Sequence, residues 1–402
     1  MLDWWNNQSS SDEQSIVEIE KFGIGNNLNI VSENNGVKLT ITNVLADAFQ
    51  TYIFFEIEDL EENRLFTIGT SPSISMGDKS LGYVQPDRSL TDVSAIGANK
   101  LRGKIAMEPL KEDKAEIDLE IKELIEIVKS KTGELGTEKT GQKSVQGNWS
   151  FTVPIEKQEI IKKEIGFDTV MEGHPITFDT LIIAPTVTFL MYNHMVNEDH
   201  RDNVFLFNAL KTEKQTYELE NSSAYPNESN IGREWHSQYT AFKTMYYNIQ
   251  DSFNLNLAII QEQIPVDQEF SIDPHKAFPQ TYEFLGTKLV VNKSEEEKKL
   301  LFEINYNDNR IFEQLDIELY FQSGISRSYY ETAGVYVNER GEVQNQETLN
   351  DIGGKDKIRF YPTEIEFHLE NEEPILPTGF KIHTYQVTKF LDEQVHLELK
   401  KK

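Results

Sequence analysis

Two histidines in a short acidic stretch carry the residue types that could bind a metal ion. His194 and His200 lie in HMVNEDHRD, together with the carboxylates of Glu198, Asp199 and Asp202. Imidazole nitrogen and carboxylate oxygen are both metal ligands. However, His194 aligns with Ile57 of a repeated stretch described below, which predicts a position at the end of a strand. We therefore expect a strand-end histidine followed by an acidic turn, and we predict no metal site.

Other candidates for chemistry rest on weaker patterns. Lys131 opens a KTG triplet of the kind found in penicillin-recognising enzymes, but the S-x-x-K and S-D-N partners of that triplet are missing. The chain holds 67 Asp and Glu residues, so neighbouring carboxylates are expected by chance. Glycosidase chemistry would need two of them ~5–9.5 Å apart across a cleft. No P-loop, H-E-x-x-H or G-x-S-x-G occurs. We predict a protein without enzymatic activity and without a cofactor.

Composition and charge exclude several classes of partner. The 402 residues carry a net charge of −28, which repels the phosphates of nucleic acids and of anionic lipids. We therefore expect no nucleic-acid binding. The absence of Cys excludes disulfides, thiol nucleophiles and cysteine-ligated metals. The length is sufficient for two to three domains, each with its own core.

The start of the sequence permits two interpretations. Trp4 and Trp5 precede a polar tract in MLDWWNNQSSSDEQS. Paired Trp before a polar stretch is typical of the headgroup zone just outside a membrane span, which would make residues 1–19 a membrane-proximal segment. In the other interpretation, which this stretch alone favours, both side chains are packed or exposed without a membrane. No apolar run reaches the ~18 residues of a span, and the first residues predict no signal peptide, because they lack a basic start and an apolar stretch.

One pattern occurs twice and predicts the fold. GVKLTITNVLADAFQTYIFFEI starts at Gly36, GHPITFDTLIIAPTVTFLMYNH starts at Gly173, and the two align without a gap. In each copy apolar and polar residues alternate, the pattern breaks near Asp47 or Pro185, and alternation then resumes. Period two indicates a strand with one buried face, so each copy predicts two strands joined by a short connection. GTKLVV at Gly286 repeats the theme more loosely.

Alternation elsewhere predicts further strands. The stretch KEDKAEIDLEIKELIEIVK also contains good helix formers, and a helix over 108–131 is the competing prediction, but strict alternation at its centre favours a strand. KSKTGELGTEKTGQKSVQG, which follows, is rich in Gly, Lys and Thr. We interpret it as a mobile hairpin loop and not as a domain linker, because the next strand completes the same sheet.

These strands predict an all-β protein of two or three tandem immunoglobulin-like β-sandwich domains. The first domain is expected over 20–158 and the second over 159–278, where the proline-rich stretch IPVDQEFSIDPHKAFPQ predicts a boundary. A third domain is expected over 279–402. Nothing in the sequence predicts a nucleotide-binding βαβ unit.

The repeated stretches also resemble a known family. NIVSENNGVKLTITNVLADAFQTYIFFEIEDL, followed later by GNWSFTVPIEKQ, resembles the first outer domain of the Gram-positive negative effectors of extracytoplasmic-function (ECF) sigma factors, also called anti-sigma-factor-like proteins. MEGHPITFDTLIIAPTVTFLMYNH resembles the domain that follows in that family, and the resemblance covers most of residues 20–270. It implies a cytoplasmic segment, one membrane span and tandem β-sandwiches of unknown function outside the cell. It brings no active-site residues.

Two functions are compatible with this sequence. The resemblance implies a sensory or regulatory ectodomain on the surface of a Gram-positive bacterium, anchored in the membrane. It would act on an ECF sigma factor through a span and a cytoplasmic segment, neither of which is in this sequence. The alternative is a surface binding or adhesion module that holds an envelope polymer or a protein on its loops or sheet edges. The ligand and the protein partner are not specified by the residues.

Overall fold

The computed structural model describes residues 25–69, 72–81, 83–84, 93–129, 135–136, 143–195, 203–220, 230–231, 235–294, 299–307, 309–321, 324–326, 330–344, 357–369 and 376–400. Within these residues every regular element is a β-strand, and the named strands all pair antiparallel. The prediction of an all-β protein is confirmed.

A first unit contains twelve strands of the described chain. They are β1 (Asn26–Asn34), β2 (Val37–Ala46), β3 (Thr51–Asp59), β4 (Leu65–Ile68), β5 (Ser73–Met76), β6 (Lys79–Ser80), β7 (Tyr83–Val84), β8 (Val93–Ala95), β9 (Lys100–Met107), β10 (Lys114–Lys129), β11 (Leu135–Gly136) and β12 (Ser144–Glu156). One sheet runs β1-β2-β3-β9-β7, with β8 on β9, and the other runs β11-β10-β5-β6, with β12 and β4 on β10. Both sheets contribute to one hydrophobic core. Trp149 is fully buried there, and its Nε1 donates a 3.0 Å hydrogen bond to the carbonyl of Val37.

The ambiguous stretch after Leu110 is a strand, because alternate residues meet opposite environments. Ile117, Leu119 and Ile121 of β10 are buried, and their register partners Val153, Phe151 and Trp149 on β12 are buried as well. The predicted hairpin between β10 and β12 is therefore confirmed. Most of the loop that joins them, 130–134 and 137–142, lies outside the described residues.

The second and third units share strands. The strands that follow are β13 (Ile161–Met171), β14 (His174–Ile183), β15 (Thr188–Met195), β16 (Val204–Lys211), β17 (Thr216–Glu218), β18 (Asn230–Ile231), β19 (Trp235–Phe242), β20 (Ser252–Ser271), β21 (Gln280–Phe284), β22 (Thr287–Ser294), β23 (Lys299–Ile304), β24 (Leu315–Phe321), β25 (Gly324–Ser326), β26 (Tyr330–Asn338), β27 (Val343–Gln344), β28 (Ile358–His368) and β29 (Gly379–Glu398). Three sheets result, β13-β14-β15-β19-β18, β17-β16-β20-β29-β24-β25 and β21-β22-β23-β28-β26-β27. The middle one belongs to both units, because β20 and β29 pair from Ser252↔Glu398 to Ser271↔Gly379.

The third unit is inserted into the second. In the first unit β10 and β12 pair from Lys114↔Glu156 onwards and are joined by a short segment. In the second unit β20 and the end of β29 take these two places, and the third unit lies between them in the chain. Val395, Leu397 and Leu399 accordingly pack in the core of the second unit, with Phe253 and Leu255 among others. The predicted third domain, 279–402, includes these three residues, because local alternation does not reveal which sheet a strand joins.

The repeated stretches share the conformation of their hairpin turns, and the first two also share a register shift between paired strands. The turns between the first two strands of each unit are Asn35–Gly36, Glu172–Gly173 and Leu285–Gly286, and both residues of each have positive φ. That conformation matches the twist of a two-residue hairpin and favours Gly. The first two units also share a register shift, between Ile41/Asn43 and between Phe178/Thr180. The third turn shows that the looser repeat at Gly286 is the same hairpin.

Candidate functional site at the unit junctions

The junction between the first and second units is built around one buried carboxylate. Asp47 has no exposed surface and accepts four hydrogen bonds. Its Oδ1 accepts from the backbone N–H of Phe49 at 2.8 Å and of Gln50 at 3.1 Å, which fixes its own turn. Its Oδ2 accepts from the N–H and the hydroxyl of Thr186 in the second unit, at 2.8 and 2.7 Å. A buried charge is tolerated only when it is satisfied in this way.

The two copies of the repeated stretch touch each other at this point. In both copies the break in the alternation is a turn, closed by Asp47 N to Gln50 O at 3.0 Å and by Ala184 N to Val187 O at 2.9 Å. Asp47 and Ala184 are equivalent positions of the repeat. The first copy therefore carries the carboxylate, and the turn of the second copy carries Thr186, which binds it. The units are therefore joined where these two turns meet, and the two residues that bond, Asp47 and Thr186, are not equivalent positions of the repeat.

Aromatic residues surround the carboxylate. The rings of Phe49 and Phe189 meet edge to face at 4.7 Å between centroids. Tyr247 of the second unit packs with Leu45 and Phe54 of the first, and its hydroxyl donates to the carbonyl of Pro185 at 3.3 Å. Burial raises the pKa of the Tyr247 hydroxyl, so it stays protonated and remains a donor. The junction is therefore a small apolar interface with a polar centre.

A second polar cluster lies where the third unit leaves the second. Glu262 of β20 accepts 2.9 Å hydrogen bonds from Lys389 Nζ of β29 and from His174 Nε2 of β14. Asn203 lies 3.3 Å from the other ring nitrogen of His174. Burial raises the pKa of Glu262, but the hydrogen bonds from Lys389 and His174 outweigh it, so the pKa lies below its ordinary value. The cluster ties both sheets of the second unit to the two strands that continue into the third.

A buried cation anchors the loop that precedes β24 in the third unit. Arg310 is nearly inaccessible and donates to three backbone carbonyls, those of Phe312 at 3.0 Å, Glu313 at 2.5 Å and Pro362 at 2.7 Å. Its guanidinium also lies over the rings of Phe312 and Tyr361, at 4.6 and 5.5 Å from their centroids. Burial lowers the pKa of Arg310 to about 10, so it remains charged at neutral pH.

Glu313 connects that loop to β29. Its carboxylate accepts a hydrogen bond from the Thr388 N–H at 3.0 Å and another from the Thr388 hydroxyl, and it lies 3.3 Å from Nε of Arg359. Burial raises the pKa of Glu313. The loop that holds Arg310 is therefore fixed to the same strand that carries Lys389 of the second cluster.

The loop has a counterpart in the first unit that the sequence analysis did not find. Asn63-Arg64-Leu65-Phe66 and Asn309-Arg310-Ile311-Phe312 both follow the third strand of their unit. In both, the arginine lies over the phenylalanine ring, at 5.1 Å for Arg64 and 4.6 Å for Arg310. The signal was present as a four-residue near-identity, but it is too short to stand out without the register of the strands.

The structure describes only some of the candidate residues that the sequence indicated. Trp4 and Trp5, the proposed membrane-proximal pair, lie outside the described residues, as do His200 and its neighbours Glu198, Asp199 and Asp202. His194 lies at the end of β15 as expected, buried, with its ring 5.0 Å from that of Phe205. Among the described residues no group of three or more His, Asp or Glu side chains is placed to hold a metal ion. The described part of the chain also contains no helix long and apolar enough to cross a membrane.

Comparison with known proteins yields little. No family model matches the chain, and no curated protein matches it. A solved structure, the crystal structure of a conserved domain protein from Bacillus anthracis, is similar to it at 17% sequence identity with a TM-score of 0.35. The match covers 63% of this chain and 83% of that one. A likeness at this level carries no argument about fold or function.

Proposed function

We propose that this chain is a non-catalytic extracytoplasmic region of an anti-sigma-factor-like membrane protein, made of immunoglobulin-like β-sandwich units. In this proposal it receives a signal outside a Gram-positive cell. It passes that signal through a membrane span and a cytoplasmic segment to an ECF sigma factor. The resemblance of the two repeated stretches supports the family, and cores formed between pairs of antiparallel sheets support the sandwich.

The observation that carries the sensory proposal is the continuity between the units. β20 and β29 run from the core of the second unit into that of the third, so Leu255 and Phe270 belong to one strand but to different cores. A ligand that favoured one arrangement of the third unit would act on the second through these paired strands. The Asp47–Thr186 contact would extend that action to the first unit. Coupling of this kind requires two states with different contacts, and the junctions are where those contacts would differ.

A specific feature of the third unit favours the alternative, a binding or adhesion module. Leu65, which follows Asn63-Arg64 in the first unit and begins strand β4, is 7% exposed, whereas the equivalent Ile311 of the third unit is 58% exposed. Arg310 beside it is held by three carbonyls and two rings, so Ile311 is displayed from a fixed loop. A rigidly displayed apolar side chain is suited to contact an envelope polymer or a protein.

Membrane topology tests the proposal. The gene would be expressed with its native upstream sequence and a C-terminal epitope, and wall-stripped intact cells would be treated with protease. We expect the epitope to be lost while a cytosolic control protein is spared. An epitope that is cleaved only after lysis would place the chain in the cytosol and contradict both functions. A native cleavable signal peptide would favour the adhesion module, whereas a native span preceded by a cytoplasmic segment would favour the sensor.

A further inference from the structure

The second and third units are joined through a narrow part of their shared sheet. Beside β20, the strand β16 ends at the pair Val204↔Gln261. Beside β29, the backbone bonds of the segment that leads into β24 end at Gln386, which bonds with Glu313 N and Gln314 O at 2.9 Å. Between these limits no other strand of the described chain accompanies β20 and β29. A two-stranded ribbon of this kind twists more than a wide sheet and has little stability of its own.

The boundary between the two units within this ribbon is a single pair of residues. Glu262 belongs to the second unit, because His174 of β14 binds it at 2.9 Å. Tyr385 packs against the core of the third unit. The pair between them is Gln263↔Gln386, whose side chains are joined by a 3.2 Å hydrogen bond from Nε2 to Oε1. This glutamine pair, called the pivot below, is where the two units meet.

The open edges of the ribbon are satisfied by side chains and not by further strands. On β20, Asn203 Oδ1 accepts a hydrogen bond from the N–H of Gln263 at 3.4 Å, and Pro265 has no N–H to offer. On β29, the N–H of Thr388 donates to the carboxylate of Glu313 at 3.0 Å. Side chains thus take the place of a third strand, which keeps the ribbon narrow. Register shifts between β20 and β29 on both sides of the pivot add local bends.

Two side chains of the third unit reach across the pivot. Glu313 accepts hydrogen bonds from the N–H and the hydroxyl of Thr388, and Arg359 donates to the Thr388 carbonyl from Nη2 at 3.2 Å and from Nε at 3.3 Å. The guanidinium of Arg359 also lies 4.5 Å from the centroid of the Phe390 ring. Thr388 and Phe390 lie on the second unit's side of the pivot, because Lys389 between them belongs to the polar cluster of that unit.

These contacts fix both layers of the third unit to β29. Arg359 lies in β28, which belongs to the outer sheet of the third unit, whereas Glu313 precedes β24 of the shared sheet. Glu313 and Thr388 are only 4% and 5% exposed, so their hydrogen bonds form away from water, where they are strong. A rotation at the pivot would separate Glu313 and Arg359 from their partners on β29. The contacts are therefore compatible with one angle between the units.

We propose that the third unit turns relative to the second at the pivot, and that Glu313 and Arg359 form a latch that holds it at one angle. When the latch is released, β20 and β29 still connect the units. The two arrangements differ in the contacts of Thr388 and Phe390, and a difference in contacts is what coupling between units requires. The motion itself does not depend on the proposed sensory function, but its use in signalling rests on that function.

Distances between pairs of spin labels test the latch. The sequence contains no Cys, so two introduced cysteines are the only sites that a thiol-reactive label modifies. Lys162→Cys on β13 with Lys288→Cys on β22 reports the arrangement of the two units, and Lys162→Cys with Leu206→Cys on β16 reports the second unit alone. All three positions are exposed. Double electron–electron resonance on the full chain gives the distance distribution of each pair.

Two latch variants would be compared with the wild type, Arg359→Met alone and Arg359→Met combined with Glu313→Gln. The single variant removes the donors and the charge, and the double variant avoids leaving a buried carboxylate without its cation. Lys299→Met is the matched control. It also removes one positive charge and one ion pair, with Glu366 at 2.7 Å, but both residues lie in one sheet of the third unit.

The outcomes decide whether the latch sets the angle. We expect a narrow distribution between the units in the wild type and in Lys299→Met, and a broader or shifted one in both latch variants, with the pair inside the second unit unchanged. Unchanged distances in the latch variants, equal broadening in Lys299→Met, or a wild-type distribution as broad as theirs would each overturn the inference. If the pair inside the second unit shows that the double variant unfolds, Arg359→Met decides. Because the assay uses purified protein, its failure would leave the result of the topology experiment unchanged.

Discussion

Replacing Asp47 by Ala tests whether the buried carboxylate holds the first two units together. The substitution leaves four donors without their acceptor, the N–H groups of Phe49, Gln50 and Thr186 and the hydroxyl of Thr186. The two donors of Thr186 belong to the other unit, so their loss weakens the junction as well as the turn. The surrounding apolar contacts, such as Phe49 with Phe189 at 4.7 Å, remain in place.

The size of the effect follows from the kind of bond that is lost. A hydrogen bond to a charged group contributes about 1.5–3 kcal/mol, and leaving a donor buried without a partner adds its desolvation cost. With two such bonds across the junction, we expect the free energy of unfolding to fall by about 3–5 kcal/mol. Thr186→Val removes only the hydroxyl donor and keeps the shape and the N–H, so about 1–2 kcal/mol is expected for it.

A double-mutant cycle with Asp47→Ala and Thr186→Val isolates the contact between the units. We expect a coupling free energy of about 1–2 kcal/mol from denaturant unfolding. Hydrogen exchange should show faster exchange on both sides of the junction in Asp47→Ala. Since a chain of several units need not unfold in one step, exchange decides which unit is affected. Coupling near zero, or loss of protection in the turn of the first unit alone, would refute the idea that Asp47 joins the units.

Three further predictions concern the polar cluster between the second and third units, the core of the first unit, and the insertion of the third unit into the second. Because the pKa of Glu262 is lowered in the fold, its contribution to stability is present above its unfolded value of about 4.5 and is lost as the pH falls through the folded pKa. Lys389→Met should therefore lose stability at a higher pH than the wild type in acid unfolding followed by circular dichroism; superimposable acid curves would contradict this. Trp149→Phe removes the hydrogen bond to the Val37 carbonyl and some core volume, so we expect a loss of about 2 kcal/mol in urea unfolding, and a change below about 0.5 kcal/mol would contradict it. Replacing 272–378 by a short hairpin loop should leave the second unit folded, as judged by dispersed methyl resonances; collapse of that unit would show that the third is needed to hold β20 and β29 together.

The local features of the fold were accessible from the sequence, because each depends on neighbouring residues. Alternation predicted β2, β3, β14 and β15, with the turns near Asp47 and Pro185 between them. The strand at Ile117 to Ile121 was favoured over a helix for the same reason. The hairpin turns at Gly36 and Gly173, which precede β2 and β14, were not predicted. The features that depend on distant residues were not accessible. Val395 and Leu397 alternate as any strand would, and only their pairing with Leu255 and Phe253 shows that they complete the second unit.

The contacts at the junctions also could not be predicted, because they join residues that lie far apart in the sequence. Asp47 was visible as a break in the alternation, but its acceptor role depends on Thr186, which lies in the other copy of the repeat. Glu262, His174 and Lys389 lie on three different strands and share no sequence motif. A metal site at His194 would need His200 and the carboxylates beside it, which lie outside the described residues. The absence of a metal there stays a prediction.

The nested arrangement has a consequence for the order in which the units form. The second unit closes its sheet by pairing Leu257 with Glu393, across a loop roughly four times longer than the one between Leu119 and Phe151 in the first unit. If the third unit were unfolded, closing this longer loop would cost about 1.3 kcal/mol more. Once the third unit has folded, Ile264 and Tyr385 are already paired, and the ends of the loop are already together. The third unit therefore stabilises the second by preorganising its last strand. Anything that binds the folded third unit favours a complete second unit as well, and this coupling is a physical basis for the sensory role proposed above.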